Sequence, residues 1–189
     1  MSTDAIKIIQ TLLIGFVLVI SSCSSLTSTE QDQKRSELDA MAAVAITRLI
    51  EQDPSLKAKI DAAPGYGVGN MKLTKVPIVG GGGGEGVMIE KNTQNRYYFN
   101  ITRADLGGGV GARGFKILFI FKTQEIVDAW KTGTWKSMAG AEASAGTASA
   151  EGAAGGDGFS MHILSEAGAS ATATARVMRV KLNKELTNN

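Results

Sequence analysis

The sequence predicts an α+β fold in which N-terminal helices pack on a mainly antiparallel, glycine-rich β-sheet or partly closed barrel. Most of the helical spacing of apolar residues occurs in the first third of the chain. From Gly65 onward the apolar residues occur in short, strand-like runs. The 23 glycines fall in irregular clusters between those runs. Glycine permits tight turns and close backbone approaches, so this composition favours a folded β-rich domain.

An apolar segment, Ile8–Ile20, opens the chain. It is shorter than the roughly 20 residues that a spanning helix needs, and it has the length of a signal-peptide core. Ser21, Ser22 and Cys23 follow, and an apolar run, small residues and a cysteine form the pattern of a bacterial lipoprotein signal. We expect residues 1–22 to be a lipoprotein signal peptide and Cys23 to be acylated. An ordinary secretory signal with an unmodified cysteine is the alternative.

The residues after Cys23 predict an anchored domain. Residues 23–33 are polar and have the composition of a tether, and residues 34–189 have the length of one domain. Two acyl chains suffice for stable membrane anchoring. Ser24 after the cysteine favours the outer membrane, with the protein facing the periplasm.

Two helices are predicted at the start of the domain. Apolar residues between Lys34 and Gln52 repeat at helical spacing. Asp53-Pro54 ends this helix, because the residue before proline is driven out of the α region. Pro54 then opens a short helix that runs to Ala62.

A β-rich region follows, with one more helix, Thr123–Trp130, capped by Thr123. We expect Pro77–Gly84 to be a loop and Glu166–Gly168 to be a turn between the last two strands. Phe115–Phe121 is apolar on both faces, which predicts a strand covered on both sides. The predicted strands are Tyr66–Leu73, Val87–Lys91, Arg96–Arg103, Phe115–Lys122, Ala139–Ala154, Phe159–Ser165 and Ser170–Leu182.

Composition excludes several classes of function. The formal net charge is only +2, which is too mild for a nucleic-acid binder. A single cysteine and a single histidine exclude an intrachain disulfide, a thiolate metal site and a multi-histidine metal site. We therefore expect no metal, no cofactor and no nucleic-acid partner.

Two glycine motifs and the histidine resemble catalytic or nucleotide-binding signals. Gly81–Gly86 and Gly109–Gly114 match G-x-G-x-x-G, but both lead into predicted strands, whereas a dinucleotide fingerprint opens a helix. His162 alternates with apolar residues on a predicted strand, and no G-x-S-x-G elbow accompanies Ser160. We expect neither nucleotide binding nor enzymatic activity.

The distribution of cations is uneven. No lysine or arginine occurs from Ser137 to Ala175, and four occur in the next ten residues. Each cation near an anionic membrane contributes about 1 kcal/mol, whereas the alternative is a solvated edge strand protected by its charges. The candidate lipid contacts are Lys72, Lys75, Arg103, Arg113, Arg176, Arg179, Lys181 and Lys184.

Short motifs follow one another in a fixed order along the predicted elements. They are Lys57-Ala58-Lys59, the Tyr66 strand, Gly86-Val87, Leu106–Gly111, Phe115–Phe121, Thr123, Trp130, Gly133, Glu151-Gly152, and Ile163 with Glu166–Gly168. This ordered set resembles the SYLF lipid-binding domain in its bacterial lipoprotein form, over about Pro54 to Glu185.

This resemblance implies a non-catalytic, lipid-anchored envelope protein that binds the anionic head groups of membrane phospholipid. Gly107, Gly109 and Gly111 are assigned a structural role, as a strip without side chains on which an acyl chain or a helix could lie. The alternative is a structural or partner-binding envelope lipoprotein that recognises another protein.

Overall fold

A computed structural model describes residues 26–132, 136–146, 148–150 and 158–187, with side chains for 26–132, 158–164 and 177–187. The signal segment and Cys23 lie outside the described residues. Helix α1 is Ser28–Gln52 and helix α2 is Ser55–Ala62. Strands β1, β2 and β3 are Gly65–Lys75, Val79–Glu90 and Arg96–Phe121. Helix α3, Gln124–Lys131, precedes β4, Lys136–Gly146, and β5, Ala148–Ala150. Strand β6, Phe159–Leu182, and helix α4, Lys184–Thr187, complete the chain.

Helix α1 begins six residues before the predicted start at Lys34, so residues 28–33 of the predicted tether are helical. A capping box explains the earlier start. The Thr27 hydroxyl accepts a hydrogen bond from the Glu30 amide at 3.4 Å, and the Glu30 carboxylate accepts one from the Thr27 amide at 2.8 Å. These bonds satisfy backbone donors that the first turn leaves without partners.

The predicted α+β class is confirmed, with helices packed on one antiparallel sheet. The six strands follow the order β1-β2-β3-β6-β4-β5. In addition, β1 pairs with β3, through Gly65↔Phe121 to Lys75↔Gly111. Strand β2 pairs with the first half of β3, β1 pairs with the second half, and β1 and β2 pair with each other. The part of the sheet formed by β1, β2 and β3 therefore curls back on itself.

Strand β6 runs without a turn through Glu166–Gly168, which corrects the predicted turn. Its partner β3 is equally long, and the pairs Gly114↔Ala167 and Phe115↔Ser165 leave Glu166 as an extra residue. The residue therefore forms a β-bulge, which bends a strand without ending it. In β4 and β5 the described part of Ala139–Ala154 is strand, as predicted; residues 151–154 lie outside the described residues.

The glycine run belongs to β2, which corrects the predicted loop Pro77–Gly84. Residues Gly80–Gly84 pair with β1 on one side and β3 on the other. A Cβ at Gly84 would overlap the Asn70 carbonyl oxygen. Glycine is needed here because the curled strands bring two backbones too close for a side chain.

Strand β3 is continuous where two strands were predicted. Gly107, Gly109 and Gly111 have φ angles of 137° to 143°, a region that L side chains rarely adopt. Gly107 and Gly109 lie between the half of β3 that pairs with β2 and the half that pairs with β1, and Gly111 is the first residue of the second half. The three glycines occur where β3 changes its partner from β2 to β1, and their structural role stays a prediction. Helix α1 packs elsewhere, on residues such as Val87 and Leu118.

Two cores stabilise the domain. The helix-side core lies between α1, α2, α4 and the outer face of the sheet, and includes Leu49, Leu118 and Ile120. The inner core fills the curled sheet and is closed by Trp130 of α3, whose ring centroid lies 4.9 Å from those of Phe99 and Phe121. Strand Phe115–Phe121 contributes to both cores, so the prediction that it is covered on both faces is confirmed.

Candidate functional site

Five exposed apolar side chains surround the turn between β1 and β2. They range from 49% exposed for Val79 to 71% for Ile78. We call this set the tip; its members are Val76, Ile78, Val79, Leu106 and Val110. Large exposed apolar patches are a feature of interaction sites, so the tip is the first candidate.

Backbone hydrogen bonds fix the tip to the sheet. The Val76 amide donates to the Val79 carbonyl at 3.0 Å and closes the turn. The amides of Gly107 and Gly109 in β3 donate to the carbonyls of Ile78 and Pro77 at 2.9 and 3.2 Å. These bonds hold the apolar side chains outward on an ordered backbone.

The interior next to the tip contains charged side chains. We call them the inner charge cluster: Lys75, Arg103, Asp105 and Arg113, each between 2% and 7% exposed. The Arg103 guanidinium donates two hydrogen bonds to Asp105, at 2.7 and 2.8 Å. The guanidinium carbons of Arg103 and Arg113 lie 5.7 and 5.0 Å from the Phe115 ring centroid, within cation–π range.

Polarity at this end of the sheet is the reverse of the usual arrangement. Lys75 points inward and Val76 outward, and Asp105 points inward while Leu106 points outward. An antiparallel sheet with one face in water normally places its apolar side chains inside and its polar side chains outside. At this end of the sheet, apolar side chains are therefore exposed over buried charged ones.

Exposed cations stand behind the tip on the same outer face. Lys72 and Arg179 occupy one row across the sheet, through the pairs Lys72↔Gly83, Gly83↔Thr102 and Thr102↔Arg179. Four residues along β3 separate this row from Leu106, a distance of about 13 Å. Within Met71–Gly84, Ile101–Lys116 and Val177–Leu182 the only carboxylate is that of Asp105, which is buried.

The structure divides the eight predicted lipid contacts. Lys72, Arg179, Lys181 and Lys184 are exposed. Lys75, Arg103 and Arg113 are buried, so they cannot meet head groups directly, which corrects their assignment as surface contacts. The side chain of Arg176 lies outside those described. The tip is not evident from the sequence, because Val76–Val79 has the pattern of a loop and Leu106 and Val110 are separated from it by almost 30 residues. Apolar residues inside a glycine-flanked turn were the available signal.

His162 lies in a second region, at the start of β6. Its Nε2 is 3.3 Å from the Ser160 hydroxyl. Burial lowers the pKa of His162, Lys59 lowers it further, and Asp53 opposes the shift weakly. Among the residues described, no group of three or more His, Cys, Asp or Glu side chains is arranged to hold a metal ion. Within the same residues, no helix has both the length and the hydropathy to cross a bilayer.

The fold and the tip define an α+β domain with an inverted, apolar end. No protein-family model matches the chain. Its sequence is similar to that of Beta cell expansion factor A from Aeromonas veronii, with 28% identity over 119 residues. The match covers 63% of this chain and 45% of that protein, so it spans less than half of the relative's length. The predicted SYLF membership is therefore corrected: the similarity found is to this bacterial protein.

Proposed function

We propose that the domain binds the surface of anionic phospholipid bilayers by inserting its tip, without catalysis. The inverted polarity of the sheet end carries the proposal. Fully burying a side chain such as Val, Leu or Ile contributes about 1.5–3 kcal/mol. Five half-exposed side chains that enter the head-group boundary together therefore supply enough free energy for reversible binding.

The exposed cations support the proposal that the bilayer surface is anionic. A row about 13 Å behind the tip lies at head-group depth when the tip reaches about 5–10 Å into the boundary. Lys72 and Arg179 have stems long enough to keep their charges among the phosphates. Each contributes about 1 kcal/mol near anionic lipid. Glu37 and Glu85 lie near Lys72, and Lys34 partly offsets their charge because it forms a salt bridge with Glu85.

The proposal places the protein in the bacterial envelope. An acylated Cys23 anchors the chain, in the outer membrane and facing the periplasm, and the domain then acts on the membrane surface within its reach. The pattern Val19–Cys23 and the polar residue after it support this assignment. Mass spectrometry of the mature N-terminus tests it, and an unmodified cysteine would contradict it.

Vesicle binding by residues 24–189 tests the tip. Both cores lie between Leu38 and Leu186, so this segment contains the whole fold. We expect flotation with phosphatidylglycerol-containing vesicles at low salt, and weaker flotation with phosphatidylcholine alone. Val79→Asp should weaken binding about tenfold, equivalent to about 1.4 kcal/mol, because it removes apolar burial and adds a charge that anionic lipid repels.

A matched control is available on α1. Val44 is 49% exposed, the same as Val79, and lies on the helix outside the tip. Val44→Asp should leave vesicle binding unchanged, with circular dichroism confirming that both variants are folded. Equal losses in the two variants, or no binding by the parent segment, would remove the lipid proposal. The second outcome would favour a protein partner for the tip.

A further inference from the structure

A groove of about 630 Å³ lies at the opposite end of the sheet from the tip. It is formed where α2 ends, β3 ends and β6 begins. Its lining residues are Lys59, Ala62, Ala63, Ile120, Phe121, Lys122, Phe159, Ser160, Met161 and His162. The volume falls within the range of small-molecule sites in proteins. Ten residue steps of β1, about 33 Å, separate this end from the tip, so the two surfaces do not overlap.

The floor of the groove is apolar. Phe121, Phe159 and Met161 belong to the inner core, and Ile120 and Ala63 to the helix-side core. All five are less than a tenth exposed, so well-packed neighbours hold them in place. The groove therefore presents an ordered apolar surface suited to a hydrocarbon chain.

Two exposed lysines provide the charge. Lys59 comes from the last turn of α2 and Lys122 from the residue after β3. The polar side chains between them are Ser160 and His162, and no described lining residue is a carboxylate. Lys59 is close enough to help lower the pKa of His162, and Asp53 opposes that shift. The two lysines that line the groove favour an anion over a cation.

We propose that this groove binds one long-chain fatty carboxylate, with the chain on Phe121, Phe159 and Met161 and the carboxylate between Lys59 and Lys122. The Ser160 hydroxyl is placed to donate a hydrogen bond to the same head group. This site is separate from the tip and does not depend on the membrane proposal.

Displacement of cis-parinarate from residues 24–189 tests the site. We expect saturable fluorescence that palmitate displaces and that hexadecanol, with the same chain and no charge, displaces at least tenfold less well. Absence of saturable fluorescence, or equal displacement by the acid and the alcohol, would overturn the proposal.

Two variants locate the site. The double substitution Lys59→Glu with Lys122→Glu should weaken palmitate binding at least tenfold, and both positions are exposed, so the fold is retained. Ala62→Phe, also at an exposed position, should remove the displaceable signal by filling the groove. Unchanged palmitate binding in both variants would place the ligand elsewhere and overturn the assignment.

Lys72→Glu is the matched control, because Lys72 is an exposed lysine at the other end of β1. It should change palmitate binding less than twofold while weakening vesicle binding. The double lysine variant should show the reverse. Failure of either site is thus measured separately from failure of the other.

Discussion

Phe99, Phe121 and Trp130 fill one end of the curled sheet, whereas Lys75 and Arg103 lie inside the other end. The same strands form both ends, and side chains alternate between the inner and outer faces along their whole length. The two ends differ in which face carries the apolar side chains. At the aromatic end the apolar side chains point inward, and at the tip they point outward over buried charges. The comparison shows that a single continuous sheet can bury aromatic side chains at one end and expose apolar side chains over buried charges at the other.

Removing the Trp130 side chain, which closes the inner core, should produce the largest loss of stability. Trp130 contacts Phe99, Phe119 and Phe121, with centroid distances of 4.9 to 5.1 Å. Trp130→Ala should lower the free energy of unfolding by about 4 kcal/mol, through lost burial and the cavity that remains. Urea denaturation measures this loss. Val44→Ala, at an exposed helical position, should change it by less than about 0.5 kcal/mol.

A substitution in the inner charge cluster should cost somewhat less. Asp105→Asn removes the charge that faces Arg103 in a buried, bidentate pair, and breaking such a pair costs about 3 kcal/mol. Replacing both residues together, with Arg103→Met and Asp105→Leu, should cost less than the single change, because the Arg103 charge is removed together with the carboxylate that binds it. If the single and double variants unfold alike in urea, the pair does not stabilise this end.

The titration of His162 should have the smallest effect on stability. It reports on the end of the sheet that forms the groove. Burial and then Lys59 lower its pKa below the ordinary value near 6.5. The unfolded chain therefore binds more protons than the folded chain just below pH 6.5, and the contribution of His162 to stability falls as pH drops through this window. Since the chain has one histidine, NMR assigns its titration directly. Lys59→Gln should raise the midpoint; a midpoint at or above 6.5 in the parent protein would contradict the buried placement.

Local sequence signals identified most elements of the fold. Alternating residues in Arg96–Arg103, the doubly apolar run Phe115–Phe121 and the break at Asp53-Pro54 depend on neighbours in the chain, and the structure agrees with each. The same signals failed where distant strands decide the outcome. The glycines of β2 were predicted to form a loop. Glycine is needed there because the backbone of β1 lies too close for a side chain, and no local pattern reveals that contact.

The candidate site residues also separate into properties that local sequence shows and properties that it does not show. The sequence picked out Lys75, Arg103 and Arg113 as cations near a glycine-rich segment, but it assigned them to the surface. Side-chain alternation shows which residues share a face, yet it does not show which face is enclosed. Only the curl of β1, β2 and β3 decides that, because it encloses the face that carries the charges.

By itself, the sequence determined the α+β class, the helical N-terminus, the antiparallel strands and the residues able to carry charge, since each follows from the local periodicity of side chains. The tertiary structure decided which face of each strand is interior, where the tip protrudes and how α2, β3 and β6 enclose a groove. These features arise from pairings between residues far apart in the chain, whose geometry depends on the packed whole.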